Sequence, residues 1–299
     1  MNQKNVEYLE NNLKYLGFGD KLNEELRSKV AEGKLDFTLR HEAEFNGRKL
    51  SATLHFRRPE ATDLYFLNKW DGKLLSEIGK REQTFYLKNG HGISLKEGFN
   101  LLEGRAVHLL LQDREGEKYK AWLQLDLKSQ ESSGNYRVNQ YHQNYGFDLE
   151  KALSVFPIKD LQTPEQKHTL IKSLEKGNVQ SAVFDKDGFA EKLFVEAAPR
   201  FKSINVYDHS GQKLSLETLE KRYGIARPAK SEGELSLIGK AAGKELPDKE
   251  AKAITSTREK PGGLKEKPER QKEQSPRKAA SQEALLPKKR TSTKKGQQL

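Results

Sequence analysis

All 25 aromatic residues of this 299-residue chain (13 Phe, 10 Tyr, 2 Trp) precede Gly224, and none follows it. Large apolar side chains supply most of the burial that offsets the entropy lost on folding. A segment without aromatics and rich in Lys, Glu, Pro, Ser and Gln is therefore expected to stay unfolded. The chain reads as a folded body over residues 1–224 and a disordered basic tail over 225–299. Charge divides at the same place. The tail holds 19 Lys plus Arg against 10 Asp plus Glu; subtracting these from totals of 54 and 43 leaves 35 against 33 in the body. The net charge of +11 thus belongs mainly to the tail. The basicity of the whole chain is no argument that the body binds nucleic acid.

Cysteine is absent, which excludes disulfides and thiolate zinc sites. No apolar run approaches the roughly 20 residues that span a bilayer. The first residues lead into a charged helix rather than the apolar stretch of a signal peptide, so a cytoplasmic protein without membrane contact is expected.

Within the body, Val6, Leu9, Leu13 and Leu16 recur at helical spacing before Gly17. Asp20 is placed to cap a second helix carrying Leu22, Leu26 and Val30, which Gly33 stops. Alternating apolar runs then flank Asn46-Gly47, a strong hairpin signal because the tight turn needs positive φ at both central residues. After Pro59, residues 63–70 read as a strand and Asp71-Gly72 as a turn. Gln83 to Leu87 follows as a strand, and Ser94 with Glu97 forms a capping box opening a helix that ends at Gly104. Strands near 105–112 and 117–127 flank a turn at Asp113–Gly116, and Tyr136–Tyr145 is extended or irregular. Asp148 caps a short helix, and Thr163-Pro164 starts one that stops at Gly177. The fold class is α+β, built from helix plus antiparallel meander units.

An internal repeat is expected. A helix, a turn pair (Asn46-Gly47; Asp187-Gly188), a proline (Pro59; Pro199), a strand and a second turn (Asp71-Gly72; Ser210-Gly211) recur in order. The competing reading is that two meanders look alike because meanders do. The expected divisions are 1–156, an N-terminal α+β domain with the first unit; 157–224, the second unit; and the tail, 225–299.

Catalytic motifs are scarce. Gly17-Phe18-Gly19 lacks the spacing and the Lys-Ser/Thr of a phosphate loop. His41 and His55 lie on paired strands and could face each other, without a third ligand for a metal; Asp63 and Asp71 flank a strand but carry little weight among 43 acids. No cofactor, catalytic residue or metal site is assigned. The segment containing Tyr136, Arg137, Tyr141, His142 and Tyr145 mixes aromatics, amides and a cation. That composition suits a surface that stacks bases or holds a partner, or else a sheet edge with half-buried tyrosines. In the tail, Arg277 and Lys278 follow Ser275-Pro276, as in short minor-groove motifs. Lys288, Lys289, Arg290, Lys294 and Lys295 put five positive charges and no negative ones in the last 13 residues. Such a segment attracts DNA or RNA through counterion release.

The runs Lys14-Tyr15-Leu16-Gly17-Phe18-Gly19, Ser51-Ala52-Thr53-Leu54-His55-Phe56, Gln83-Thr84-Phe85-Tyr86-Leu87, Asn100-Leu101-Leu102-Glu103-Gly104-Arg105-Ala106-Val107 and Asn144-Tyr145-Gly146-Phe147-Asp148-Leu149 carry a resemblance, as do the segments around Phe194 and Asn205. Over residues 5–215 the chain resembles a family of uncharacterised proteins carried on bacterial conjugative transposons and similar mobile elements. Their genes often lie near a type IA topoisomerase. The resemblance implies a role in DNA mobility, with a DNA-processing enzyme such as a topoisomerase as a partner, and supplies no catalytic residues. The expected function is that of a non-enzymatic accessory protein binding a partner or nucleic acid through its repeat surfaces. The alternatives are a protein scaffold without DNA contact and an enzyme acting on nucleic acid or a host factor.

Overall fold

The computed structural model describes residues 2–76, 79–88 and 90–225. Helices α1 (Gln3–Tyr15) and α2 (Asn23–Glu32) come first, the latter ending at Gly33 in the left-handed region. Asp20 does not cap α2. The N-cap is Leu22, with no side-chain bond, and Asp20 instead accepts from the Asn23 amide through its backbone carbonyl (3.1 Å).

Strands β1 (Asp36–Phe45), β2 (Arg48–Arg57), β3 (Phe66–Ser76) and β4 (Gly79–Tyr86) form an antiparallel sheet in sequence order. Asn46 (φ 53°) and Gly47 (φ 74°) make the tight turn that the sequence predicts. The histidine pairing does not form. His41 lies opposite Ala52 and His55 opposite Thr38, because odd residues of β1 and even residues of β2 share the covered face. The expected turn at Asp71-Gly72 is absent too: β3 runs straight through it. Gly72 is a packing glycine. A Cβ there would come within 2.9 Å of the Trp70 ring, 3.2 Å of Phe85 and 3.3 Å of Leu102. Ser210-Gly211 does turn (Gly211 φ 81°), so the last pair of expected repeat markers does not correspond.

Helix α3 (Leu95–Leu102) opens on the predicted capping box, with the Glu97 amide donating to Ser94 Oγ (3.4 Å) and the Ser94 amide to Glu97 Oε2 (2.9 Å). It precedes a second sheet, β5 (Val107–Gln112), β6 (Lys118–Gln130) and β7 (Tyr136–His142). Helices α4 (Leu149–Ser154) and α5 (Pro164–Glu175) lead to the third sheet, β8 (Gln180–Lys186), β9 (Phe189–Ala198) and β10 (Ser203–Tyr207), and α6 (Leu216–Tyr223) closes the described chain. Asp187 (φ 53°) and Gly188 (φ 83°) repeat the turn conformation of Asn46-Gly47.

Two apolar cores lie on either side of the middle sheet. Val107, Leu123, Leu125 and Tyr136 join the core formed with α1–α3 and the first sheet. Trp122 and Tyr141 join the core formed with α4, α5, α6 and the third sheet. Strand β6 accordingly buries Ala121, Trp122 and Leu123 in succession, as expected of a strand covered on both faces. Polar ties fasten the parts. The Tyr136 amide donates to Gln83 Oε1 and the Thr84 amide to Asn135 Oδ1, both at 2.8 Å, covering the β4 edge. Buried Asn100 donates to the Lys176 carbonyl (2.6 Å) and Asn178 Oδ1 (3.0 Å), while Arg105 donates to the Gly177 carbonyl (3.0 Å) and Asn100 Oδ1 (2.7 Å). No helix of the described residues is long and apolar enough to cross a membrane.

Candidate nucleic-acid interface

Strand β7 carries Tyr136 and Tyr141 five residues apart, hence on opposite faces of a sheet covered on both. Tyr136 is 7% exposed in the first core and Tyr141 9% exposed in the second. Buried rings cannot stack on an external base, so these two do not form the surface read from the sequence. Burial, helped by Tyr145 and opposed by Arg200, pushes the Tyr141 hydroxyl up to about 12. Arg137 lies opposite Asp126, and the His142 ring stacks on Tyr119 with centroids 5.2 Å apart. Tyr145 differs. It ends the turn Gln143–Tyr145, is 37% exposed, and donates its hydroxyl to the Arg200 carbonyl at 2.8 Å.

That bond joins Tyr145 to residues outside the expected set. After β9 the chain makes the turn Pro199–Phe201, then Lys202 takes a left-handed conformation (φ 49°). The turn presents Phe201, 62% exposed, with the Arg200 guanidinium 5.7 Å and Lys213 Nζ 6.0 Å from its centroid. Lys202 Nζ sits 5.3 Å from the Tyr145 ring. Among the described residues, Arg200, Lys202 and Lys213 form no ion pair with a carboxylate. Three cations thus border two accessible rings, an arrangement able to stack a base and neutralise its phosphates. Arg277, Lys278, Lys288, Lys289, Arg290, Lys294 and Lys295 lie outside the described residues.

A second cation–aromatic group is partly buried, with Phe99 sealed and Phe45 and Lys96 half-buried. Lys96 Nζ lies 4.4 Å from the Phe45 centroid and 4.8 Å from that of Phe99, and Arg105 lies 5.4 Å over Phe99. Glu103 receives Arg48 and stands 3.6 Å from Arg105. Burial lowers the proton affinity of both Lys96 and Arg105.

On the open face of the first sheet, His55 Nε2 lies 2.6 Å from Asp71 Oδ2, and Thr84 donates to Asp71 Oδ1 at 2.7 Å. The carboxylate stands between the other two groups, an order unlike that of a Ser-His-Asp relay, in which the imidazole contacts the hydroxyl; both hydrogen bonds favour Asp71 as an anion. Asp63 lies apart from this row and accepts from Asn2 (3.5 Å). A cleft of about 420 Å³ lies between the β8–β9 turn and α6, and one of about 300 Å³ beside Tyr8 and Phe66. Among the described residues no group of three His, Asp or Glu could hold a metal. In comparison with known proteins, no family model, no curated protein and no solved structure matches the chain.

Proposed function

We propose that this chain is a non-enzymatic accessory protein of a mobile element that binds single-stranded nucleic acid through Tyr145, Arg200, Phe201, Lys202 and Lys213. The carrying observation is the exposed Phe201 ring flanked by cations that no carboxylate of the described residues neutralises. A ring of this kind stacks any base, and the cations follow the backbone, which gives affinity with little sequence preference. The basic end of the tail adds a second, non-specific attraction to polyanions. A DNA-processing enzyme such as a topoisomerase is the partner that would act on the bound strand.

Duplication accounts for where the site sits. Helix α2 with β1–β3 and helix α5 with β8–β10 share an order, a turn conformation at Asn46-Gly47 and Asp187-Gly188, and a proline after the second strand. In this reading the connection after Pro199 gained Arg200, Phe201 and Lys202, whereas the one after Pro59 carries Glu60 and Asp63.

Fluorescence anisotropy with a labelled oligothymidylate tests the assignment on full-length chains. The variant Arg200→Glu/Lys202→Glu/Lys213→Glu should lose about a hundredfold in affinity with a flatter salt dependence. A chain with Lys288, Lys289, Arg290, Lys294 and Lys295 replaced by Gln should lose less. If the first variant binds like the parent, the body does not contact nucleic acid, and the protein-scaffold reading takes its place.

A further inference from the structure

Strands at the edge of a sheet expose unpaired backbone groups, and this fold covers several of its outer strands. Asn135 and Tyr136 cover β4, the Asp185 amide of β8 donates to the Pro157 carbonyl (2.8 Å), and the Leu214 amide donates to the Val206 carbonyl of β10 (2.8 Å). Strand β1, ten residues long, pairs only with β2 among the described residues.

The tight turn fixes which groups it leaves open. A two-residue turn closes on a hydrogen-bonded pair, here Phe45 with Arg48, so the odd residues of β1 exchange bonds with β2. The N–H and C=O groups of Asp36, Thr38, Arg40, Glu42 and Glu44 therefore point away from the sheet. From these positions we infer that β1 pairs antiparallel with β1 of a second copy of this chain, in a two-fold register in which His41 faces its own copy.

Only outward-bonding residues can pair with one another, so each symmetric register places one residue opposite itself. Centring on Arg40 or Glu42 sets like charges face to face. Centring on Ala43 sets Glu42 against Glu44 twice, and centring on Leu39 sets Asp36 against Glu42 twice. Centring on His41 sets Arg40 against Glu42 of the copy, twice, and Thr38 against Glu44. On the covered face it sets Leu39 against Ala43 and Phe37 against Phe45. His41 packs edge-on against Phe18 (5.6 Å), and burial together with Lys21 favours its neutral form, so two such rings can face each other. Thr38, Arg40, Glu42 and Glu44 carry exposed side chains on the open face, so the charge pairs would form there without burial.

Sedimentation velocity of the full chain from low to high micromolar concentration tests this, with circular dichroism confirming that each variant folds. The parent should show a reversible dimer. Arg40→Glu and Glu42→Arg, each creating two like-charge pairs across the axis, should each weaken association by about tenfold or more. The double variant Arg40→Glu/Glu42→Arg restores both pairs and should return to the parent's association. Independently, Glu42→Pro removes an outward N–H at a position where an edge strand tolerates proline, and should abolish the dimer. A parent that stays monomeric, single variants that associate normally, or a double variant no better than the singles would each overturn the assignment.

Discussion

The molecule carries two groups of cations over aromatic rings, and they are put to opposite uses. Around Phe99, the Arg105 guanidinium is consumed by the Gly177 carbonyl and Asn100, and Glu103 balances part of the charge. Around Phe201, the ring is open and the cations have no carboxylate among the described residues. The same pairing of residue types therefore fastens two parts of the fold in one place and offers a contact surface in the other. For Arg105 what decides is that its polar atoms already have partners.

Substitutions can break that contrast. The largest effect is expected at the carbonyl that Arg105 holds. Gly177 has φ 77°, and a Cβ there would meet the Ala106 carbonyl oxygen at 2.7 Å and Val107 Cγ1 at 2.9 Å. Gly177→Ala should cost about 4 kcal/mol, read from urea unfolding, because strain and overpacking add. Arg105→Met leaves buried Asn100 and the Gly177 carbonyl short of donors and should cost about 2–3 kcal/mol. At the open group the balance reverses: Phe201→Ala should leave stability within about 0.5 kcal/mol while lowering single-strand affinity about tenfold.

The smallest effect concerns Asp71. Burial alone would raise its carboxyl, but hydrogen bonds with His55 and Thr84 hold it below the ordinary Asp range. Its contribution is therefore present above the unfolded value and lost as pH falls through the lower folded one, below about pH 4. Asp71→Asn should flatten the acid limb of a stability–pH curve and cost no more than about 1 kcal/mol near neutrality, since the group is partly exposed.

Much of the architecture was legible because local chemistry decides it. Asn46-Gly47, Asp187-Gly188 and the Ser94–Glu97 capping box each produce the predicted feature. Gly72 misled because its reason is tertiary: the glycine makes room for Trp70 and Phe85, which no local pattern reveals. The site was half legible for the same reason. Tyr145 was read only as one of five residues in its segment, and its neighbours Arg200 and Lys202 are some 55 residues away in sequence and meet it only in the fold. An aromatic between cations just after a proline, as in Pro199-Arg200-Phe201-Lys202, was the available signal.

The middle sheet has a mechanical consequence. Because Leu123 and Trp122 seal different cores from adjacent positions on one strand, loosening β6 would wet both interiors at once. Unfolding that reaches β6 should therefore take both cores together in one step.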